Sequence, residues 1–111
     1  MEIGVSKQPN CTIISLNGRL DGTTFNQVET ALLEQIAHGE LKLVLDCSQL
    51  SYISSAGLRV LLVAAKKMKA AKGSMSLSGL NENVKEVFEV SGFSSIFTIY
   101  ATSEEAADKF A

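Results

Sequence analysis

Two serine hydroxyls stand side by side at Ser54 and Ser55, where a predicted loop gives way to a predicted helix. A serine just before a helix is a typical N-cap, because its hydroxyl oxygen accepts a hydrogen bond from a free backbone N–H group of the first turn. The same N–H groups and the helix dipole stabilise an anion by about 1 kcal/mol. The pair is therefore a candidate helix cap and a candidate phosphorylation site.

A phosphate on either serine would act as a switch on binding. It adds about −1.5 to −2 charges, so a partner that fits a neutral hydroxyl is repelled. A loss of ~3–4 kcal/mol lowers an affinity by roughly two to three decades. The residues at this position therefore predict regulated binding that leaves the domain folded.

Other kinds of chemistry lack the residues that they need. The only histidine is His38, and the two cysteines, Cys11 and Cys47, form no CxxC or Cys/His cluster, so we expect no metal site and no cofactor. The sequence contains no Ser/His/Asp set, no paired carboxylates placed for acid–base catalysis and no glycine-rich phosphate loop. We therefore predict a binding protein and not an enzyme.

Length and charge narrow the range of partners. The chain of 111 residues is long enough for a single domain over residues 1–111, and its net charge of −2 gives no field that attracts nucleic acid or an anionic membrane. The N-terminus lacks the pattern of a signal peptide, and the apolar stretch 58–71 is interrupted by lysines. We expect a cytoplasmic monomer with neither a nucleic-acid nor a membrane partner.

Hydrophobic spacing, turn residues and helix caps predict the elements that position the serine pair. Alternating apolar residues on either side of a Pro9-Asn10 turn predict an N-terminal hairpin. The predicted strands are 3–5, Thr12–Leu16, Leu41–Leu45, Met75–Leu77 and Ile96–Tyr100. The predicted helices are 24–39, about Ala56–Lys72, 84–92 and a last one that starts at Thr102. Capping boxes at Thr24–Gln27 and Thr102–Glu105 mark the starts of the first and the last of these helices. One hairpin followed by three crossovers predicts an α/β fold with a mixed sheet and helices packed against it.

The segment from Asp46 to Leu62, with the element order around it, resembles the STAS family, and it looks most like the stand-alone bacterial anti-sigma factor antagonists. The resemblance rests on an L-x-G-x-L-D run at Leu16–Asp21, a hydrophobic-D-x-S strand end at Leu43–Ser48 and a signature loop at Tyr52–Leu58. It implies a mixed sheet of four or five strands that starts with the hairpin, and about four helices packed mainly on one face.

The resemblance also implies a partner and a mechanism. In such antagonists the anti-sigma factor is a serine kinase that phosphorylates a serine of the signature loop. The unphosphorylated antagonist binds this kinase and frees the sigma factor, and a PP2C-type phosphatase restores the active form. The implied kinase contacts are Asp21, Ser54, Ser55, Ala56, Gly57, Leu58 and Arg59. We expect Asp46 and Ser48 to orient the loop by accepting hydrogen bonds from backbone N–H groups.

One departure from the family pattern leaves the acceptor open. The common pattern is Asp-Ser-Ser/Thr-Gly-Leu with the acceptor directly before the glycine, whereas here Ala56 fills that position and Ser54 takes the place of the aspartate. Either Ser55, the nearer hydroxyl, or Ser54 takes the acceptor's role, or the domain is not phosphorylated. In the last case the chain would be a constitutive STAS subunit of a larger assembly, such as a lipid-transport ATPase complex or a sensory complex.

Overall fold

A computed structural model describes residues 1–110 of the protein. Its five strands form one sheet in sequence order: β1 (Glu2–Lys7), β2 (Thr12–Leu20), β3 (Lys42–Ile53), β4 (Ser74–Ser78) and β5 (Thr98–Tyr100). The first two strands pair antiparallel and the remaining neighbours pair parallel. The helices are α1 (Phe25–Ala37), α2 (Ser55–Ala70), α3 (Glu82–Val90) and α4 (Ser103–Asp108), and Phe93–Ser95 form a 3-10 turn before β5. The predicted element order and mixed sheet are confirmed.

The helices lie mainly on one face of the sheet, as expected. Side chains alternate between the two faces along β3. Leu43 and Leu45 point into the large core that α1, α2 and α3 cover. Val44, between them, points the other way and packs with Ala106 of α4 and with Cys11. The short α4 is therefore the one helix of the described residues that covers the second face.

Two strands are longer than their sequence patterns predicted. The prediction that the second strand ends at Asn17-Gly18 is wrong, because β2 runs on to Leu20. The prediction that a loop follows Leu45 is also wrong, because β3 continues to Ile53. The β2–β3 ladder shifts register on either side of Asn17-Gly18, so strict alternation is lost there. The two strands nevertheless stay paired and end together.

The two predicted capping boxes have different outcomes. The one at the start of α1 is wrong, because the Thr24 hydroxyl makes no cap hydrogen bond; it donates to the carbonyl of Arg19 and accepts from the N–H of Asp21. These bonds close the turn between β2 and α1. At the start of α4, the Thr102 hydroxyl accepts from the N–H of Glu105, so the predicted threonine cap is confirmed.

Both cysteines are free and buried. Complete burial, with a smaller contribution from the carboxylate of Asp46, raises the pKa of the Cys47 thiol to about 12. Burial also raises the pKa of the Cys11 thiol. Both thiols are therefore protonated at neutral pH and pack as small apolar groups.

Candidate functional site

The carboxyl ends of β2 and β3 bring the serine pair to the edge of the sheet. These strands run parallel, so their last residues, Leu20 and Ile53, lie side by side. The chain then turns, and the N–H of Ser54 donates to the carbonyl of Leu20 at 2.9 Å. This hydrogen bond fixes the start of α2 against the exit of β2.

Ser54 is the N-cap of α2. Its hydroxyl oxygen accepts from the N–H of Gly57 at 3.2 Å, and its carbonyl accepts from the N–H of Leu58 at 2.9 Å. The backbone of Ser54 is extended and its side chain is half-buried. An oxygen that already closes the first helical turn is not free to react without weakening that turn.

Ser55 is the first residue of α2, and its side chain differs from that of Ser54 in exposure and in hydrogen bonding. Its side chain is exposed, and its hydroxyl forms no hydrogen bond with any other residue in 1–110. In the first turn, the N–H groups of Gly57 and Leu58 are engaged by Ser54, which leaves those of Ser55 and Ala56 without an intrahelical acceptor. These two free donors and the positive end of the helix dipole favour an anion at the start of α2.

Gly57 allows α2 to start this close to the strands. A Cβ atom at this position would lie 2.7 Å from Cγ of Leu20, 2.9 Å from Cγ1 of Ile53 and 3.0 Å from the carbonyl oxygen of Leu20. No side chain fits there without movement of buried atoms. The glycine of the motif therefore serves packing, and its position is buried.

Asp21 lies next to the serine pair because it follows Leu20 directly. Its Oδ1 accepts from the hydroxyl of Thr23 at 2.7 Å and from the N–H of Thr23 at 2.9 Å. Its Oδ2 lies 3.5 Å from Nε of Arg19, whose guanidinium stacks 4.2 Å above the ring centre of Tyr52. The hydrogen bonds from Thr23, and then Arg19, lower the pKa of Asp21. The carboxylate of Asp21 is therefore held in place by Thr23, with the positive charge of Arg19 beside it.

The structure does not bring Asp46 and Ser48 to the serine pair. Both lie within β3, which continues past them to Ile53, and their predicted role in orienting the loop stays a prediction. At ~3.3 Å per strand residue, Asp46 lies roughly 25 Å along the chain from Ser54. The Oδ1 of Asp46 does accept a backbone bond, from the N–H of Ser48 at 2.9 Å, but this bond is local to the strand.

A groove beside Ser55 was not predicted from the sequence. It has a volume of about 400 Å³ and runs between the first turn of α2 and the outer face of α3. The lining residues are Ser55, Leu58, Asn83, Glu86, Val87, Val90 and Ser91. Val90 is 81% exposed, which is unusual for a large aliphatic side chain. The remaining predicted contacts differ in exposure: Ala56 is half-buried, and Arg59 is exposed on α2.

The protein is thus a small α/β domain in which two parallel strands end at the N-terminus of a helix. One serine caps this helix and a second serine is its first residue. The sequence model of one family, the STAS domain, matches residues 2–106. The chain belongs to the STAS domain family. Membership agrees with the prediction of a regulatory binding domain and not an enzyme. None of the helices in residues 1–110 has the length and apolar character needed to cross a membrane.

Individual relatives sharpen the comparison. The chain is 41% identical over 110 residues to BtrV of Bordetella bronchiseptica, which is named as a candidate anti-sigma factor antagonist. The match covers 99% of this chain and 95% of BtrV. It is 32% identical over 87 residues to the anti-sigma-B factor antagonist of Listeria monocytogenes, covering 78% of this chain and 75% of that protein. Among solved structures, the anti-sigma factor antagonist SpoIIAA in its unphosphorylated form shares the fold with a TM-score of 0.83 at 24% identity, covering 97% of this chain and 95% of SpoIIAA.

Proposed function

We propose that this chain is an anti-sigma factor antagonist, and that phosphorylation of Ser55 switches off its binding to an anti-sigma serine kinase. The names of BtrV and of the Listeria relative support the antagonist role. SpoIIAA, whose fold this chain shares, has also been solved in a phosphorylated form, from Bacillus, which supports phosphorylation as the switch. Because the kinase uses ATP, we propose that the exchange takes place in the cytoplasm.

The observation that carries the assignment to Ser55 is the division of tasks between the two hydroxyls. The hydroxyl of Ser54 caps α2 through Gly57, whereas that of Ser55 is exposed. A kinase can reach an exposed hydroxyl at a helix start without unwinding the helix. Transfer to Ser54 would cost the cap, which is worth about 1 kcal/mol.

The proposed reaction is an ordinary phosphoryl transfer. The Ser55 oxygen attacks the γ-phosphorus of ATP, the new O–P bond forms as the β–γ anhydride bond breaks, and ADP leaves. A base of the kinase takes the hydroxyl proton. A PP2C-type phosphatase then hydrolyses the ester with water and returns the free hydroxyl and inorganic phosphate.

Charge explains why the product no longer binds. The kinase must bring the Ser55 hydroxyl to the terminal phosphate of its nucleotide, so the new dianion lies against the phosphates of ADP. A loss of ~3–4 kcal/mol from this repulsion lowers the affinity by roughly two to three decades.

The kinase is expected to contact the surface around Ser55. Asp21 offers a fixed carboxylate and Arg59 an exposed guanidinium. Ala56 is half-buried and offers a small apolar surface in the first turn of α2, whereas Leu58 is 7% exposed and packs into the core beneath this turn. Gly57 is buried and supports these contacts indirectly, because its close packing on Leu20 positions the first turn of α2.

The proposal is tested with the serine-kinase anti-sigma factor encoded in the same genome. Wild type, Ser54→Ala and Ser55→Ala are incubated with this kinase, ATP and Mg²⁺, and their intact masses are measured. We expect wild type and Ser54→Ala to gain one phosphate and Ser55→Ala to gain none. Modification of Ser55→Ala at the wild-type rate would show that the acceptor is another residue.

The same experiment distinguishes an anti-sigma factor antagonist from the alternative, a constitutive STAS subunit of a larger assembly. Such a subunit of a lipid-transport ATPase complex or a sensory complex binds its partner without modification. A wild-type chain that neither binds the kinase nor gains a phosphate would contradict the antagonist role. Co-purification of the chain with a transporter would then support the constitutive role.

A further inference from the structure

The groove beside Ser55 lies at the edge of the core, because Leu58 belongs to the core and Val87 packs against it, whereas Val90 is exposed. Its α3 wall is the outer face of a helix whose inner face, through Val84 and Phe88, already packs into the core. The groove is lined on its α3 side by residues that include Asn83, Val87 and Val90. The α2 wall is Ser55 and Leu58, so the groove is continuous with the proposed phosphorylation site.

The groove has an apolar anchor point. Val90 is 81% exposed and Val87 is half-buried, and they form the exposed apolar surface of the groove, whereas the third apolar lining residue, Leu58, is 7% exposed. An aliphatic side chain that enters between them removes this surface from water, which favours binding. Interfaces draw most of their affinity from a few such buried contacts.

The groove also has a defined charge. Of the residues that line it, only Glu86 is charged, and its side chain is exposed. Glu86 lies one helical turn before Val90, so the carboxylate and the aliphatic side chain are neighbours on one face of α3. A complementary partner segment therefore carries a positive charge beside an apolar residue.

We propose that this groove is the second half of the binding surface, and that it receives a segment of the anti-sigma kinase in which an aliphatic side chain neighbours a lysine or arginine. The inference rests on the proposed function, since it takes the kinase as the occupant. Val90 anchors the aliphatic side chain and Glu86 pairs with the basic group. Together they hold the kinase over Ser55.

Matched variants test the two contacts separately. Val90→Ser removes the apolar anchor, and Ile96→Ser removes an aliphatic side chain that is 52% exposed and lies outside the groove. Glu86→Lys reverses the charge in the groove, and Glu89→Lys makes the same change of charge on an α3 residue that does not line it. Thermal unfolding first verifies that each variant is folded.

The measurement is the Kd of each unphosphorylated variant for the ADP-loaded anti-sigma kinase, at low and at high salt. We expect Val90→Ser to weaken binding about tenfold, and Glu86→Lys to weaken it more than tenfold, with the larger loss at low salt. We expect Ile96→Ser and Glu89→Lys to stay within about twofold of wild type. Wild-type affinity in both groove variants would refute the docking groove and leave the proposed function standing. A wild-type chain without affinity for the kinase would refute both.

Discussion

Replacing Gly57 with alanine tests how tightly the start of α2 sits on the strand ends. The added Cβ would lie 2.7 Å from Cγ of Leu20 and 2.9 Å from Cγ1 of Ile53, which are 0% and 2% exposed. It would also lie 3.0 Å from the carbonyl oxygen of Leu20, which accepts the hydrogen bond from Ser54. Neither the buried side chains nor this carbonyl can withdraw without loss of packing or of that bond.

Two opposing effects set the size of the change. Alanine stabilises a helix relative to glycine by about 0.8–1 kcal/mol in the helix interior. Overpacking of a filled core costs about 1–3 kcal/mol. Because Gly57 lies in the first turn, the propensity gain is at its smallest and the packing cost dominates. We expect Gly57→Ala to lower the free energy of unfolding by about 1–2 kcal/mol and the melting temperature by about 4–8 °C.

The assay is reversible urea unfolding, followed by circular dichroism, with Gly22→Ala as the matched control. A Cβ at Gly22 would have no heavy atom within 4 Å among the described residues, so this variant should match or slightly exceed the stability of wild type. If Gly57→Ala proved as stable as wild type, the reasoning that α2 is seated by close backbone approach would be refuted.

The remaining predictions concern single polar groups. Ser54→Ala should lower the free energy of unfolding by about 1 kcal/mol through loss of the cap, as measured by urea unfolding. Ser76→Ala should leave the free energy of unfolding unchanged or raise it, because the buried Ser76 hydroxyl has no hydrogen-bond partner in residues 1–110. Ser78→Ala should lower the free energy of unfolding by about 1 kcal/mol, because it removes the hydrogen bond with Ser103. The hydrogen bonds from Lys7 and then Thr12 hold the pKa of Glu40 below its ordinary value, so Glu40→Gln should be less stable than wild type at neutral pH. That difference should vanish as the pH falls through the lowered pKa, because protonated Glu40 loses the ion pair. Equal stability of Ser76→Ala and Ser78→Ala, or a pH-independent effect of Glu40→Gln, would contradict these assignments.

Local signals were strong enough to predict the order of the elements. The Pro9-Asn10 turn separates the hairpin strands, and glycines with positive φ follow α1 at Gly39 and α3 at Gly92. Such residues end elements for steric reasons that do not depend on the tertiary structure. The mixed sheet then follows from the connections, because strands joined by helices run parallel.

The extent of β3 could not be predicted in the same way. Its inward residues after Leu45 are Cys47, Leu50 and Ile53. The steps from Cys47 to Leu50 and from Leu50 to Ile53 are three positions each, instead of the two of a regular strand. Register shifts in the β2–β3 ladder break the two-residue period that identifies a strand. The exposed polar residues between them therefore resemble a loop, although their backbone stays paired with β2.

The groove on α3 was out of reach for a different reason. Val90 follows Val87 at helical spacing, so the sequence pattern favours burial of Val90 at the end of the core face. Only the packing of the folded chain shows that α3 ends where the core ends, which leaves Val90 in water beside Ser55. A pattern identifies an apolar face, but it does not show how much of that face another element covers.

The two serines together explain how a chain with alanine at the usual acceptor position can still carry the proposed switch. A residue that caps a helix must keep its oxygen on the N–H of the first turn, and a residue that accepts a phosphate must keep its oxygen free. Ser54 meets the first requirement through Gly57, and Ser55 is placed to meet the second from the same turn. Because the cap lies on a separate residue, the proposed phosphate on Ser55 would leave α2 intact and add an anion at its stabilising end. The proposed phosphorylation would thus change the charge that the partner meets and keep the fold that presents it.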